Sequence, residues 1–186
     1  WLPGLTIPMC QRIAEHCGIM IGQRVLDFGC ARGYSVKALR GLGYDASGVD
    51  VSRWALDNAD PLARSHLSLV VPGTAPLTER YDWIIAKDVL EHVEFVRFVV
   101  AHLMARADRG VFAVVPLTMF DDGAYVVEVY EADVTHCQRW TLPAWAEMFV
   151  RPGWRVEAAY RVPGVKDNYA QYEKGNGFIT CRRIEG

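Results

Sequence analysis

Long apolar runs, paired cysteines and an excess of one charge are all missing from this sequence, and each absence removes a class of function. No apolar run in the 186 residues is long enough to span a bilayer, because the longest are strand-sized and broken by charge or glycine. No membrane partner is expected. Cysteine is scarce and scattered: Cys10, Cys17, Cys30, Cys137 and Cys181 make an odd set with no C-x-x-C pair. That argues against a disulfide framework or a zinc ribbon and for reduced thiols in a cytoplasmic protein. Lys+Arg 20 against Asp+Glu 22 leaves a formal net charge of -2, so no nucleic-acid partner is expected either. Internal repeats and Gly/Ser/Pro linkers are also lacking. The chain opens at Trp1 rather than Met, which reads as a trimmed or partial sequence, so the lack of a signal peptide says nothing of what lies upstream.

What is present is a 51% hydrophobic composition, enough for one core, and a regular alternation of element types. Apolar strands are expected at residues 24–28, 44–50, 67–71, 81–86, 110–117, 154–162 and 177–184. Helical spacing falls at 7–17, 34–42, 53–59 and 93–107, and another helix begins at Thr141-Leu142-Pro143. Gly43 suits a left-handed C-cap and Ser52 an N-cap. Strands separated by helix-length segments predict βαβ crossovers, so the fold class is α/β: a doubly wound, mostly parallel seven-stranded sheet with helices on both faces. Ligands of such sheets bind beyond the carboxyl ends of the strands, at the topological switch point. A single domain over 1–186 is expected, with 118–140 as a loop or lid insertion.

The first strand runs into VLDFGCARGYS. Asp27 ends the strand, Gly29 and Gly33 bracket the turn, and small Ala31 lies between them. Glycine lets a ligand approach the main chain closely, and the following helix offers unpaired N–H groups. A dinucleotide oxidoreductase needs G-x-G-x-x-G to seat a pyrophosphate. The spacing here is G-x-A-x-G, and Asp27 would repel phosphate but attract an amine. Asp50, ending the second strand, can accept hydrogen bonds from vicinal ribose hydroxyls. The ligand so described has a ribose, no phosphate and a cationic amino-acid end.

VLDFGCARGYSVKALRGLGYDASGVDVS, with YDWIIAKDVLEHV downstream, resembles the class I SAM-dependent methyltransferases of the broad small-molecule group, over nearly the whole chain. The resemblance implies an antiparallel C-terminal strand in the sheet. It also implies S-adenosylmethionine as cofactor and S-adenosylhomocysteine as product. By the same resemblance, Asp27, Gly29, Cys30, Ala31, Gly33 and Tyr34 would hold the methionine and adenosine parts, and Asp50 the ribose. Val51 and Ser52 would flank the adenine, together with Gly73, Thr74 and Ala75, and Lys87 and Asp88 would close over the methionine end. Two departures stand out: Ala31 replaces the middle glycine, and Gly73-Thr74-Ala75 replaces Gly-Asp-Ala.

The sulfonium methyl is already activated, so the protein chiefly aligns the acceptor and excludes water; a hydroxyl acceptor adds the need for a base. His136 is the first candidate, with Glu131 or Asp133 to orient it; the plainer reading makes Asp133 and Thr135 caps and His136 loop packing. His92 and Glu91, just after the fourth strand, are the others, against packing for His92 and a solvated first-turn acid for Glu91. Asp88, Glu91, His92 and His136 together would suit a divalent cation, but no tight spacing requires one and no metal ligands are assigned. Trp145 and Phe149 read as core. Tyr125 and Tyr130 in YVVEVY are open between an acceptor platform and an extra strand or lid. Arg151, Arg155, Arg161, Arg182 and Arg183 read as a solvated face ahead of an anion site. The function expected is methyl transfer to a small-molecule hydroxyl, sugar-like or another metabolite, by a monomer or homodimer; a methyltransferase-like scaffold without chemistry is the alternative.

Overall fold

The computed structural model describes residues 1–71 and 77–184. The elements are α1 (Pro3–Cys17), β1 (Arg24–Phe28), α2 (Tyr34–Gly41), β2 (Asp45–Asp50), α3 (Arg53–Asp57) and β3 (Leu67–Leu69). They continue with β4 (Tyr81–Lys87), α4 (Val96–Arg106), β5 (Ala107–Pro116), α5 (Leu142–Glu147), β6 (Trp154–Ala159) and β7 (Asn176–Arg183). The strands form one seven-stranded sheet in the order β3-β2-β1-β4-β5-β7-β6. β7 runs antiparallel to both its neighbours, and the other pairings are parallel. The chain winds outward through β2 and β3, then returns to start again at β4. The carboxyl ends of β1 and β4 therefore flank the switch point.

Period-two alternation assigns each strand residue to one of two cores. Leu26, Ile84, Val111 and Ala113 face Val100 and Leu103 of α4 and Trp145 of α5. Val25, Ile85, Phe112 and Val114 face Ile13 of α1 and Val36 and Leu39 of α2. Because both faces are covered, the central strands carry almost unbroken apolar runs.

Local boundaries depart from expectation where a specific hydrogen bond intervenes. α1 starts at Pro3, four residues early, because Leu5 N and Thr6 N donate to Leu2 O (3.0 and 2.9 Å) and proline is tolerated in a first turn. The expected helix over 93–107 begins only at Val96, after a single 3-10 turn at Leu90–His92. Gln138 Nε2 takes the carbonyls of Val93 and Glu94 (2.9 and 3.2 Å), which removes them from helical pairing. β5 starts three residues early, at Ala107, where it pairs with Tyr81 across a register shift. β3 and β6 stop short of the expected 71 and 162. YVVEVY is not a strand: Tyr125 forms an isolated bridge with Thr118, and Glu128–Ala132 is a 3-10 turn. Ser52 caps α3, its hydroxyl accepting from Ala55 N at 3.1 Å, and Gly43 takes φ +94° after α2.

Trp145 and Phe149 are core, both fully buried. Trp145→Ala should lower the unfolding free energy by about 3–5 kcal/mol, measured by urea denaturation; a loss under 1 kcal/mol would show that the α5 side of the core collapses around the gap.

Candidate active site

The site is built at the carboxyl ends of β1, β2 and β4. After β1 the chain turns through Gly29 (φ +84°), Ala31 (φ +45°) and Gly33 (φ +75°). Both glycines are required by contact as well as by φ. A Cβ on Gly29 would lie 2.4 Å from Val89 Cγ2, and one on Gly33 would lie 2.8 Å from Ala63 Cβ. Gly29 N and Cys30 N donate to Val49 O (2.9 and 3.0 Å), which ties the loop to β2. Ala31 holds a left-handed conformation despite its Cβ, and its N–H donates to Asp50 Oδ2 at 2.7 Å. Ser52 N donates to Asp50 Oδ1 at 2.8 Å. Asp50 therefore joins the two loops, and each oxygen keeps a lone pair for a further donor.

Asp27 is buried beside them. Burial, reinforced by the charge of Asp50 and opposed by Lys87, pushes its carboxyl up to about 7. Lys87 and Asp88 follow at the end of β4, where Asp88 adopts φ +53°. Asp88 is clamped between Lys87 on one oxygen and Lys166 on the other. Burial works to raise its carboxyl, but the two ammonium groups prevail and hold it below the ordinary value. Cys30 turns its side chain away: a Cβ on Gly48 would lie 2.6 Å from Cys30 Cβ, so the thiol fills the gap over β2 and burial raises it. Tyr34 packs on Trp1 (5.6 Å between ring centres) and under Arg32. Val51 is exposed, and the hydroxyl of Ser52 is committed to α3. Gly73, Thr74 and Ala75 lie outside the described residues.

On the rim, 3-10 geometry after β4 brings Glu91 and His92 against the 118–140 loop. Cys137 N and Gln138 N both donate to Glu91 O (2.8 and 3.1 Å), so the two segments are stitched together. His92 and His136 pack with ring centres 4.7 Å apart and planes tilted by 59°, and Tyr125 and Tyr130 pack edge-on to His136 (5.3 and 6.1 Å). His136 Nε2 lies 3.6 Å from Asp133 Oδ2. Glu131 does not orient His136, because it is spent on Arg139 and on Tyr125 N at 2.6 Å. Burial and then His92 hold the His136 imidazole below its usual value, which favours its neutral, proton-accepting form. Glu91 is only 2% exposed, and burial with the neighbouring Asp88 pushes its carboxyl up to about 8. The solvated first-turn reading of Glu91 therefore does not hold.

A family model described as a methyltransferase domain matches residues 10–159 of the chain. The chain belongs to that methyltransferase family. Its sheet, with an antiparallel seventh strand inserted beside the fifth, is the class I fold of SAM-dependent methyltransferases. Among solved structures, the methyltransferase resembles the putative methyltransferase of the Haloferax volcanii complex with the activator Trm112, at 16% identity and a TM-score of 0.71 over 99% of this chain and 92% of that one. It also resembles magnesium protoporphyrin IX methyltransferase from Synechocystis with bound SAH, at 18% identity and TM-score 0.67 over 96% and 82% of the two chains. The plantazolicin methyltransferase BpumL, in complex with a monoazolic desmethylPZN analog and SAH, is 12% identical with a TM-score of 0.71 over 99% and 86%. At such identities the likeness is one of fold. No curated protein matches the sequence.

Lys166 joins the candidate site although nothing in the sequence around it announces the contact. Its side chain is almost fully buried, pairs with Asp88 and lies over the Tyr130 ring at 4.9 Å. It comes from a turn 78 positions away in the chain, with no motif around it. The arginines singled out in the C-terminal third are engaged elsewhere: Arg182 donates to His16 O, Arg183 to Ala107 O, and Arg155 pairs with Glu157.

Asp27 titrates higher in the folded chain than in the unfolded one. Its contribution to stability is therefore complete below pH ~4 and is lost as pH rises through about 7. Unfolding free energies from pH 5 to 7 should fall by about 1 kcal/mol per pH unit more in the ligand-free native protein than in Asp27→Asn; parallel slopes would show that Asp27 titrates normally.

Proposed function

We propose that the protein transfers a methyl group from S-adenosylmethionine to the hydroxyl of a small molecule, sugar-like or another metabolite. The observation that carries this reading is Asp50, held by Ala31 N and Ser52 N at the switch point with oxygen lone pairs to spare. The residues present fit the cofactor. The bends at Gly29 and Gly33 leave no room for side chains, which holds the main chain in its turn at the mouth of β1. Asp27 places an ionisable carboxyl where a cationic amino group gains most, and no basic cluster suited to phosphate stands in the loop. S-adenosylmethionine, when bound, supplies an electrophilic methyl group. Asp50 would then accept from the ribose hydroxyls, the unpaired N–H groups at the start of α2 would face the methionine end, and Lys87–Asp88 would border it. SAH in the Synechocystis and plantazolicin structures supports the assignment.

Acceptor chemistry falls to the rim. Glu91, His92 and His136 converge beneath Tyr125 and Tyr130, where a hydroxyl can be oriented and relieved of its proton. The names of the two neighbours crystallised with SAH point to small-molecule acceptors, and the 118–140 segment is too short and too committed to local bonds to grip a polymer. A scaffold without chemistry is the weaker reading, because the reactive groups converge. Free thiols at all five cysteines suit a reducing compartment, and no described helix is long and apolar enough to cross a membrane; we place the protein in the cytoplasm.

Calorimetric titration with S-adenosylmethionine should give saturable binding that Asp50→Ala weakens about 10- to 100-fold, the value of a charge-assisted hydrogen bond or two. No binding at high micromolar concentration would overturn the cofactor assignment. In a labelled-methyl screen of hydroxylated metabolites, His136→Gln should lower turnover at least about 100-fold while S-adenosylmethionine affinity stays within about twofold. Undiminished turnover would remove His136 from the reaction.

A further inference from the structure

The rim cluster has an electrostatic feature that proton transfer alone does not explain. Among the described residues, Glu91 Oε2 and His136 Nδ1 are buried with no hydrogen-bond partner. Each is a lone-pair donor that would normally be satisfied. One ligand atom from each of Glu91, His92 and His136 lies within 4.8 Å of the other two. The nearest ammonium groups, Lys87 and Lys166, are both paired with Asp88 and pull the Glu91 carboxyl down only through space, without bonding to it.

The hydrogen bonds around His92 fix which of its nitrogens carries a lone pair. Thr135 Oγ1 donates its single proton to Asp133 Oδ1 at 2.5 Å. It must therefore accept from His92 Nδ1, 2.8 Å away. His92 is thus the Nδ1–H tautomer, and its Nε2 is a free donor atom. The chain carboxylate–hydroxyl–imidazole is the arrangement by which proteins orient a histidine and raise its basicity towards a metal. On the other ring, His136, Nε2 faces Asp133 at 3.6 Å and the Tyr130 backbone lies near the imidazole, while the buried Nδ1 has no partner within hydrogen-bond distance.

We infer that Glu91, His92 and His136 hold one divalent first-row transition cation of the Zn2+, Co2+ or Mn2+ type. Two neutral imidazoles and one carboxylate form a borderline donor set that suits these ions over Mg2+ or Ca2+, which want oxygen. An ion at ~2.1 Å from each donor holds them about 3.4 Å apart, so side-chain rotations within the existing cluster close the set. Binding ionises the Glu91 carboxyl, whose proton leaves to solvent. With three protein ligands, a position remains open for the acceptor oxygen.

The role of the ion rests on the methyl-transfer reading above; its binding does not. The acceptor hydroxyl, as fourth ligand, loses its proton to solvent more readily than a free alcohol does. Its oxygen lone pair forms the new O–C bond as the S–C bonding pair returns to sulfur, giving the ether and the neutral thioether.

Tag-free, chelator-treated protein titrated with CoCl2 should develop visible ligand-field absorption at one equivalent, displaced by ZnCl2, without any S-adenosylmethionine present. His136→Gln and His92→Ala should each weaken Co2+ binding by more than about 100-fold, a larger effect than loss of an outer-shell partner. His92 is exposed, so its variant leaves the core undisturbed even where a change at buried Glu91 unfolds the chain. Thr135→Val should weaken binding about 10- to 100-fold through His92 alone. Absence of a one-equivalent Co2+ signal at 100 µM overturns the inference, as does unchanged binding in both histidine variants. Loss of the signal in Cys137→Ser, with histidine variants behaving as native, equally overturns it. Calorimetry with S-adenosylmethionine on the same samples reads the cofactor assignment separately, so either can fail alone.

Discussion

One carboxylate holds the site together. Asp50 accepts from Ala31 N in the loop after β1 and from Ser52 N at the entrance to α3, so two crossovers that are distant in sequence share a single anchor. The contact is charge-assisted and lies where parallel strands end, so the loop after β1 and the entrance to α3 are fixed together by it. β1 and β2 must be paired in register for the bond to form, and their pairing runs from Arg24↔Asp45 to Phe28↔Val49. Loop shape, helix entry and ligand reception depend on that register. The left-handed conformation of Ala31 is sustained by this bond and by the Gly29 and Cys30 bonds to Val49 O.

Charge is handled differently on the two sides of the switch point. On the β1 side, Asp27 is buried with only opposed influences from Lys87 and Asp50, so it sits poised to ionise when a cation arrives. On the β4 side, Asp88 is permanently ionised between two lysines, one from its own strand and one from beyond β6. That clamp engages both ammonium groups, which reach Glu91 only through space. Lysine answers one buried acid directly, and the other keeps an oxygen without a hydrogen-bond partner.

The mostly parallel sheet, the two-faced core and the Gly-rich turn were legible because each depends on local signals. Continuous apolar runs in RVLDF and YDWIIAK, turn glycines and the Ser52 cap involve residues within a few positions of one another. What was not legible depends on distant partners. Lys166 reaches Asp88 from a turn that carries no motif, and Gln138 trims the start of α4 by taking two of its carbonyls. YVVEVY alternates as a strand would, yet Glu131 captures Tyr125 N, and pairing with the stretch after β5 stops at a single bridge to Thr118 and a bond from Val126 N to Leu117 O. The convergence of His136 on Glu91 and His92 was guessed at the level of residue type. Its geometry comes from Cys137 and Gln138 binding Glu91 O, which no spacing announces.

The contact between Gly29 and Val89 carries a mechanical consequence. With Val89 Cγ2 occupying the space a side chain at 29 would need, the loop after β1 and the loop after β4 are interlocked like meshed gear teeth. A side chain at position 29 would therefore push the two loops apart, so the separation of the β1 and β4 rims is set by how closely this one pair packs.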